Sequence, residues 1–281
     1  MSFGGIKENF LILLYDIRNG CRKNIIIYFL AMLFTALSAY SFGRLTDNYV
    51  HRGILSVKPG AMDYLVYLFG GMKVVDKSSE FEIPILWMTL QVLAGFCVCI
   101  YPVNDLDSGG TIILPQFGSR TGWWISKCLW SVVQAAVLYI IIFATVVLFS
   151  IISGGGMQYH PEIFKIHAGV LISDIKLLGI VVLAAPFLYS VMSMLVQVNL
   201  SLFIGPINSF MFIVAYHIMS LYGSQFIFLG SVSMIYRNRS LTGEGVDWIP
   251  LLILCAFVSV TAVIAGVLKF RCSDLLGKKS W

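Results

Sequence analysis

Six stretches of about twenty residues in this chain contain no Asp, Glu, Lys or Arg, and that feature leaves few folds open. They run from Ile25 to Gly43, Ile83 to Val103, Leu129 to Ile152, Leu177 to Val196, Leu202 to Tyr222 and Ile249 to Leu268. As a helix, each is long enough to cover the roughly 30 Å of hydrocarbon in a bilayer. A helix also satisfies its own backbone groups where water cannot, which excludes open sheets. Only 12% of the 281 residues are charged and the mean hydropathy is +0.87, whereas soluble domains are about 25% charged. The expected fold is all-α: a polytopic integral membrane protein with six transmembrane helices in a single domain over 1–281. Only Gln197 to Ser201 separate the fourth and fifth stretches, so a tight hairpin is expected there.

Charge sets the expected orientation. With both termini cytoplasmic, the inner segments hold ten basic residues against five acidic ones, whereas the outer segments hold nine of each. The positive-inside rule favours that arrangement. No stretch has the order of basic region, short apolar region and small-residue cleavage site of a signal peptide, so the first span is expected to persist. The cysteines fall in spans or on the inner side, where none can staple an outer loop. Before the first span, Ile6, Phe10, Leu13, Leu14 and Ile17 recur at helical spacing, with Lys7, Glu8, Asn9, Asp16 and Arg18 on the other side. Residues 1–24 thus read as an amphipathic helix lying in the membrane interface. The outer segments 44–82 and 223–248 are long. In the first, the apolar run Tyr64 to Met72 is too short to span and is expected at the outer surface or slightly re-entrant.

What the spans lack excludes several functions. Ion-coupled carriers use intramembrane ionisable groups, and here only His217 is present. The zinc-hydrolase and serine-nucleophile patterns are absent, as is the phosphate-cradling Gly-x-x-x-x-Gly-Lys-Ser/Thr. The chain is therefore not expected to be an enzyme or to hold a cofactor, and energy for uphill transport would come from another polypeptide.

The inner segment 104–128 is the one sizeable hydrophilic interruption on the cytoplasmic side. Asn104 or Asp105 can cap a short helix, Ser119 can cap the next, and Gly109, Gly110 and Pro115 break the segment between them. Trp123-Trp124 followed by Lys127 reads as an interfacial anchor at the start of the third span. From the residues alone, a docking loop and an ordinary inside loop with an aromatic belt are both open.

Tyr101-Pro102, Asp105-Leu106, Gly110, Gly118-Ser119-Arg120, Trp123-Trp124 and Ser126-Lys127 resemble the cytoplasmic loop of membrane subunits of bacterial ABC-type exporters of the type-2 permease class. The resemblance extends to the interfacial N-terminal helix, the six spans and Leu229-Gly-Ser-Val-Ser-Met-Ile-Tyr-Arg237. It departs at Ile112-Ile113-Leu114-Pro115, where that class usually carries a polar or basic residue. The resemblance implies a coupling helix seated in a cleft of an ATP-binding cassette subunit. It also implies ATP and Mg²⁺ bound by that partner, and a second permease subunit, identical or homologous, in the bacterial plasma membrane. Asp105, Leu106, Ile112, Ile113, Leu114 and Arg120 are the expected docking residues, with Leu106 and the isoleucines exposed for contact. Asn208, Ser209, Tyr216, His217 and Ser220 form a weakly polar stripe on the fifth span. That stripe either faces a substrate path at a dimer centre or bonds to the second span or within itself. Small residues Ala94, Gly95, Gly205 and Ser209 are candidates for the dimer seam. The expected function is export of an amphiphilic or peptide substrate, with partners in membrane lipid and protein and none in nucleic acid. The competing expectation is an ATP-independent membrane binding or immunity protein that captures a peptide.

Overall fold

The computed structural model describes residues 3–74, 83–106, 120–172, 174–222 and 227–272. Among them, regular structure is helical apart from an isolated bridge between Asn238 and Val246. The helices are α1 (Phe3–Lys23), α2 (Ile25–His51), α3 (Ala61–Phe69), α4 (Ile85–Cys99), α5 (Tyr101–Asp105), α6 (Arg120–Ser153), α7 (Pro161–His167), α8 (Ile175–Ile204), α9 (Pro206–Tyr222) and α10 (Trp248–Cys272). Five are long and apolar enough to cross a membrane: α2, the run Ile85–Asp105 formed by α4 and α5, α6, α8 and α10. The chain is an all-α, multi-pass membrane protein. The fifth expected span, α9, has 17 residues and a length of about 26 Å, short of the hydrocarbon thickness. The 3₁₀ turn Leu229–Ser233 packs beside its far end.

Helix α8 is the hub, packing against α10, α9, α6 and α4. The Asp174 carboxylate starts it by accepting from the amides of Lys176 and Leu177, both at 3.0 Å, which satisfies donors that a first turn leaves unpaired. The expected hairpin at Gln197 to Ser201 does not form there; α8 continues through it. The polar side chains that suggested a turn are bonded inside the bundle. Gln197 Nε2 donates to the Gly95 carbonyl at 3.0 Å, Trp124 Nε1 donates to Asn199 Oδ1 at 2.9 Å, and Ser201 Oγ donates to the Val198 carbonyl at 2.7 Å. The break falls at Gly205, whose φ of 84° suits a residue without Cβ, followed by Pro206. Helix α9 then runs back along α8, with Phe210 beside Gly95 and His217 against Tyr189.

The helices alternate in direction and define two ends. One end gathers α1, the start of α2, α5, the start of α6 and the end of α10. There Phe270 stacks on Trp123 and Trp124 at 5.4 and 5.1 Å, and Asn24 donates to the Cys97 carbonyl at 2.7 Å and to Gln134 Oε1 at 2.9 Å. The opposite end is covered by α3, α7 and residues 227–247. The run Tyr64 to Met72, expected at the outer surface or slightly re-entrant, lies at this end and packs into the core: Tyr64, Val66, Leu68 and Phe69 of α3 are all buried against α2, α4, α6 and α8. Asp63 anchors this cap by accepting from the amides of Gly60 and His160, both at 2.8 Å, with His160 Nδ1 at 2.7 Å. Burial pushes the Asp63 carboxyl above its ordinary range. Arg237, also buried, donates to the carbonyls of Met72, Lys73, Ser220 and Leu221. It thereby ties the cap to the end of α9, and burial lowers its guanidinium to about 10.

Candidate functional site: a buried ion triad joining the N-terminal helix to the flanks of residues 107–119

Residues 107–119 connect α5 to α6, and Ile112, Ile113 and Leu114 lie outside the described residues. The two flanks of that connection meet. On α5, Tyr101 and Asp105 are four residues apart, and on α6, Trp123, Ser126 and Lys127 are three and four apart, so each set shares a helix face. The third element is α1, whose protein-facing stripe is Ile12, Asp16, Gly20 and then Asn24 just beyond it. A Cβ on Gly20 would lie 2.2 Å from Trp130 Nε1, so the absence of one lets α1 approach α6 this closely.

Lys127 and Asp16 are fully buried, and the Asp105 side chain is 13% exposed. The Lys127 ammonium pairs with both carboxylates. Asp16 also accepts from Tyr101 OH at 3.0 Å and from Ser126 Oγ at 3.2 Å. The rings of Trp123 and Tyr101 lie 4.6 and 5.1 Å from Lys127 Nζ, within the range of cation–π attraction. Burial raises the Asp16 carboxyl above its ordinary value, and Lys127 only partly opposes the shift. With two carboxylates against one ammonium, desolvation is not repaid by attraction alone, and such clusters are weak evidence for stability. Their effect is geometric: the cluster ties α5 and α6, the two flanks of the 107–119 connection, to the N-terminal helix.

Several expected roles change here. Asp16, placed by its spacing on the polar side of an interfacial helix, faces the protein, while Phe10, Leu11, Leu14 and Tyr15 face outward. Trp123 and Trp124 are buried rather than a headgroup-level belt, because they fill the space between α6, α8 and α10. Leu106, expected to be exposed for docking, is buried in the main core, and Asp105 turns toward Lys127. Arg120 is exposed at the start of α6. Asp16 is not legible as a site residue from the sequence, because it lies far from the inner segment that holds Asp105 and Lys127.

The weakly polar stripe of α9 divides. Ser209, His217 and Ser220 are buried. Ser209 and Ser220 donate to the carbonyls of Pro206 and Tyr216 at 2.8 and 2.9 Å, and His217 Nδ1 lies 2.7 Å from Tyr189 OH. Tyr216 OH donates to the Ile227 carbonyl at 2.8 Å and accepts from the Leu229 amide at 3.0 Å. Asn208 alone is exposed, its amide bonded to the Ile204 carbonyl at 2.9 Å. The others' hydrogen bonds run to carbonyls of α9 itself, to Tyr189 on α8 and to Ile227 and Leu229. Ala94 and Gly95 likewise belong to internal packing: Ala94 is fully buried, and Gly95 sits against Gln197 and Phe210. Among the described residues no group of His, Cys, Asp and Glu is placed to hold a metal ion. No protein-family model, curated protein or solved structure matches the chain.

Proposed function

We propose that the chain is the membrane-spanning subunit of an ATP-driven exporter of the type-2 permease class, with ATP hydrolysed by a separate subunit seated on residues 105–120. The observation that carries this reading is the Asp16–Lys127–Asp105 triad. A force applied to the connection between α5 and α6 would reach α1 and two membrane helices through contacts that are largely buried. The reading takes α9 as a sixth, short span and places both termini on the cytoplasmic face of a bacterial plasma membrane. A second permease subunit, identical or homologous, completes the path. The outward face of α9, where Asn208 stands among the exposed apolar Ile207, Met211 and Phe212, would suit an amphiphilic substrate between two such subunits.

The decisive experiment is co-purification of the full chain in mild detergent. A cassette ATPase should come down with the wild type and be lost from the double variant Ile112→Asp, Ile113→Asp while that variant still inserts. A wild-type chain that captures a hydrophobic peptide without any ATPase would favour the ATP-independent binding function and overturn the proposal.

A further inference from the structure

At the end of the bundle opposite the triad, a cleft of about 730 Å³ opens between the exit of α3, the entry to α4, the end of α7 and Tyr236. That volume lies within the usual range for small-molecule sites. Its walls are largely apolar and aromatic, with Met72, Leu86, Trp87, Tyr67 and Tyr236 among them, and Lys73 contributes a cation. Lys73 makes no ion pair among the described residues, and no carboxylate is among the described lining residues. The Arg237 guanidinium lies directly behind this wall, bonded to the carbonyls of Met72 and Lys73 at 3.1 and 3.3 Å, and adds positive potential from the protein side.

Phenols add a second chemical feature to the cleft wall. Tyr159 and Tyr67 adjoin Tyr236, whose phenol is raised by burial and further by those two neighbours. Tyr67 and Tyr236 both line the cleft, together with Lys73. Two phenol donors and an ammonium around an apolar cleft suit an acceptor-rich anionic head joined to an apolar tail. At the mouth, Ile83 and Ile85 are 59% and 67% exposed, so the cleft opens where an apolar chain from the bilayer can enter.

We propose that this cleft binds an anionic phospholipid from the adjoining leaflet. The phosphate accepts from Lys73 Nζ and the Tyr67 and Tyr236 hydroxyls, and an acyl chain lies along Met72, Leu86 and Ile83. The site depends only on the chain's residence in a membrane, not on the docking of an ATPase.

Native mass spectrometry of the full chain, with phosphatidylglycerol or phosphatidylcholine supplied in detergent, tests the assignment. Phosphatidylglycerol should be retained at least about tenfold better, the scale of one charge-assisted hydrogen bond. Lys73→Ala and Tyr236→Phe should each reduce that preference, and Lys73→Arg should preserve it. All three variants should melt within a few degrees of wild type, because the bonds that hold this segment are made by backbone groups and Arg237. Equal retention of the two lipids, or a preference untouched by Lys73→Ala and Tyr236→Phe alike, overturns the site. Tighter retention of a hydrophobic peptide with a free carboxylate overturns the lipid assignment. So does a wild-type chain that takes up phosphatidylglycerol only after Asp76, Glu80 and Glu82 are neutralised, which would make the chain's own acidic segment the occupant.

Discussion

Lys127 holds two carboxylates and two aromatic rings around one ammonium, and its removal is the most informative single change. Lys127→Met leaves Asp16 and Asp105 facing each other without a counter-charge, an expected loss of about 3–5 kcal/mol in detergent unfolding. Neutralising all three groups together, Asp16→Asn, Asp105→Asn and Lys127→Met, should recover most of that stability, since desolvation is relieved on every partner. The same triple variant should lose substrate-stimulated ATP hydrolysis if the triad transmits force; full stimulation would assign it a purely structural role. The raised carboxyls of Asp16 and Asp63 set a pH dependence with a definite sign. A group whose folded pKa exceeds its unfolded value of 3.8 binds protons more tightly when folded. Its contribution is therefore complete below that value and lost as pH rises through the folded pKa. Relative to the double variant Asp16→Asn, Asp63→Asn, the wild type should gain stability as pH is lowered from neutrality toward 4. A melting series in which the difference stays flat would contradict this.

At the scale of elements, α8 is held on both sides by polar groups that its sequence presents as turn-formers. Asn199 illustrates the arrangement: its side chain accepts from Trp124 on α6, donates to the Leu195 carbonyl at 2.8 Å and lies against Gly266 of α10. A Cβ at Gly266 would fall 1.7 Å from Asn199 Oδ1 and 2.9 Å from Trp124 Nε1, so α10 can seat only on a bare backbone. Gly266→Ala should cost about 1–3 kcal/mol, as overpacking of a well-filled core does, and should weaken the bond between Trp124 and Asn199. A change in tryptophan emission alongside the lower melting temperature would report that loss. Asn199→Ala should lessen the penalty of Gly266→Ala, because the two residues compete for the same space and their effects should not add.

On the scale of the whole molecule, α1 and the end of α10 lie at the same end of the bundle, with the cap of α3, α7 and Arg237 at the other. Cys272 is the exposed cysteine among the described residues, Cys21 is half-buried and the rest are buried. A membrane-impermeant maleimide should therefore label chiefly Cys272. If that end faces the cytoplasm, labelling appears only after cells are permeabilised and disappears in Cys272→Ser. Equal labelling of intact cells would invert the proposed orientation. If the chain works as the proposed permease, the detergent-solubilised functional complex should have a mass that includes two membrane subunits, and a functional complex with a single copy would overturn that pairing.

Hydropathy alone determined the class of molecule. Runs such as Leu129 to Ile152 and Ile249 to Leu268 have no environment but the bilayer, and a helix is the local structure that satisfies their backbone there. The start of α8 at Asp174 and its end at Gly205-Pro206 came from the structure, whereas the polar run Gln197 to Ser201 drew the expected turn away from its true place. Whether a polar residue faces lipid, water or another helix depends on neighbours far along the chain. Asp16 is distant from Lys127 in sequence, and Asn199 from Trp124, so no periodicity within one helix distinguishes a solvated group from a paired one. The apolar run Tyr64 to Met72 was too short to span, but only the surrounding α2, α4, α6 and α8 decided that it would be buried. Local composition determined that this chain enters the membrane as helices. Tertiary packing decided which of its few charges would be enclosed, because the cost of burying a charge is set by the partner it meets.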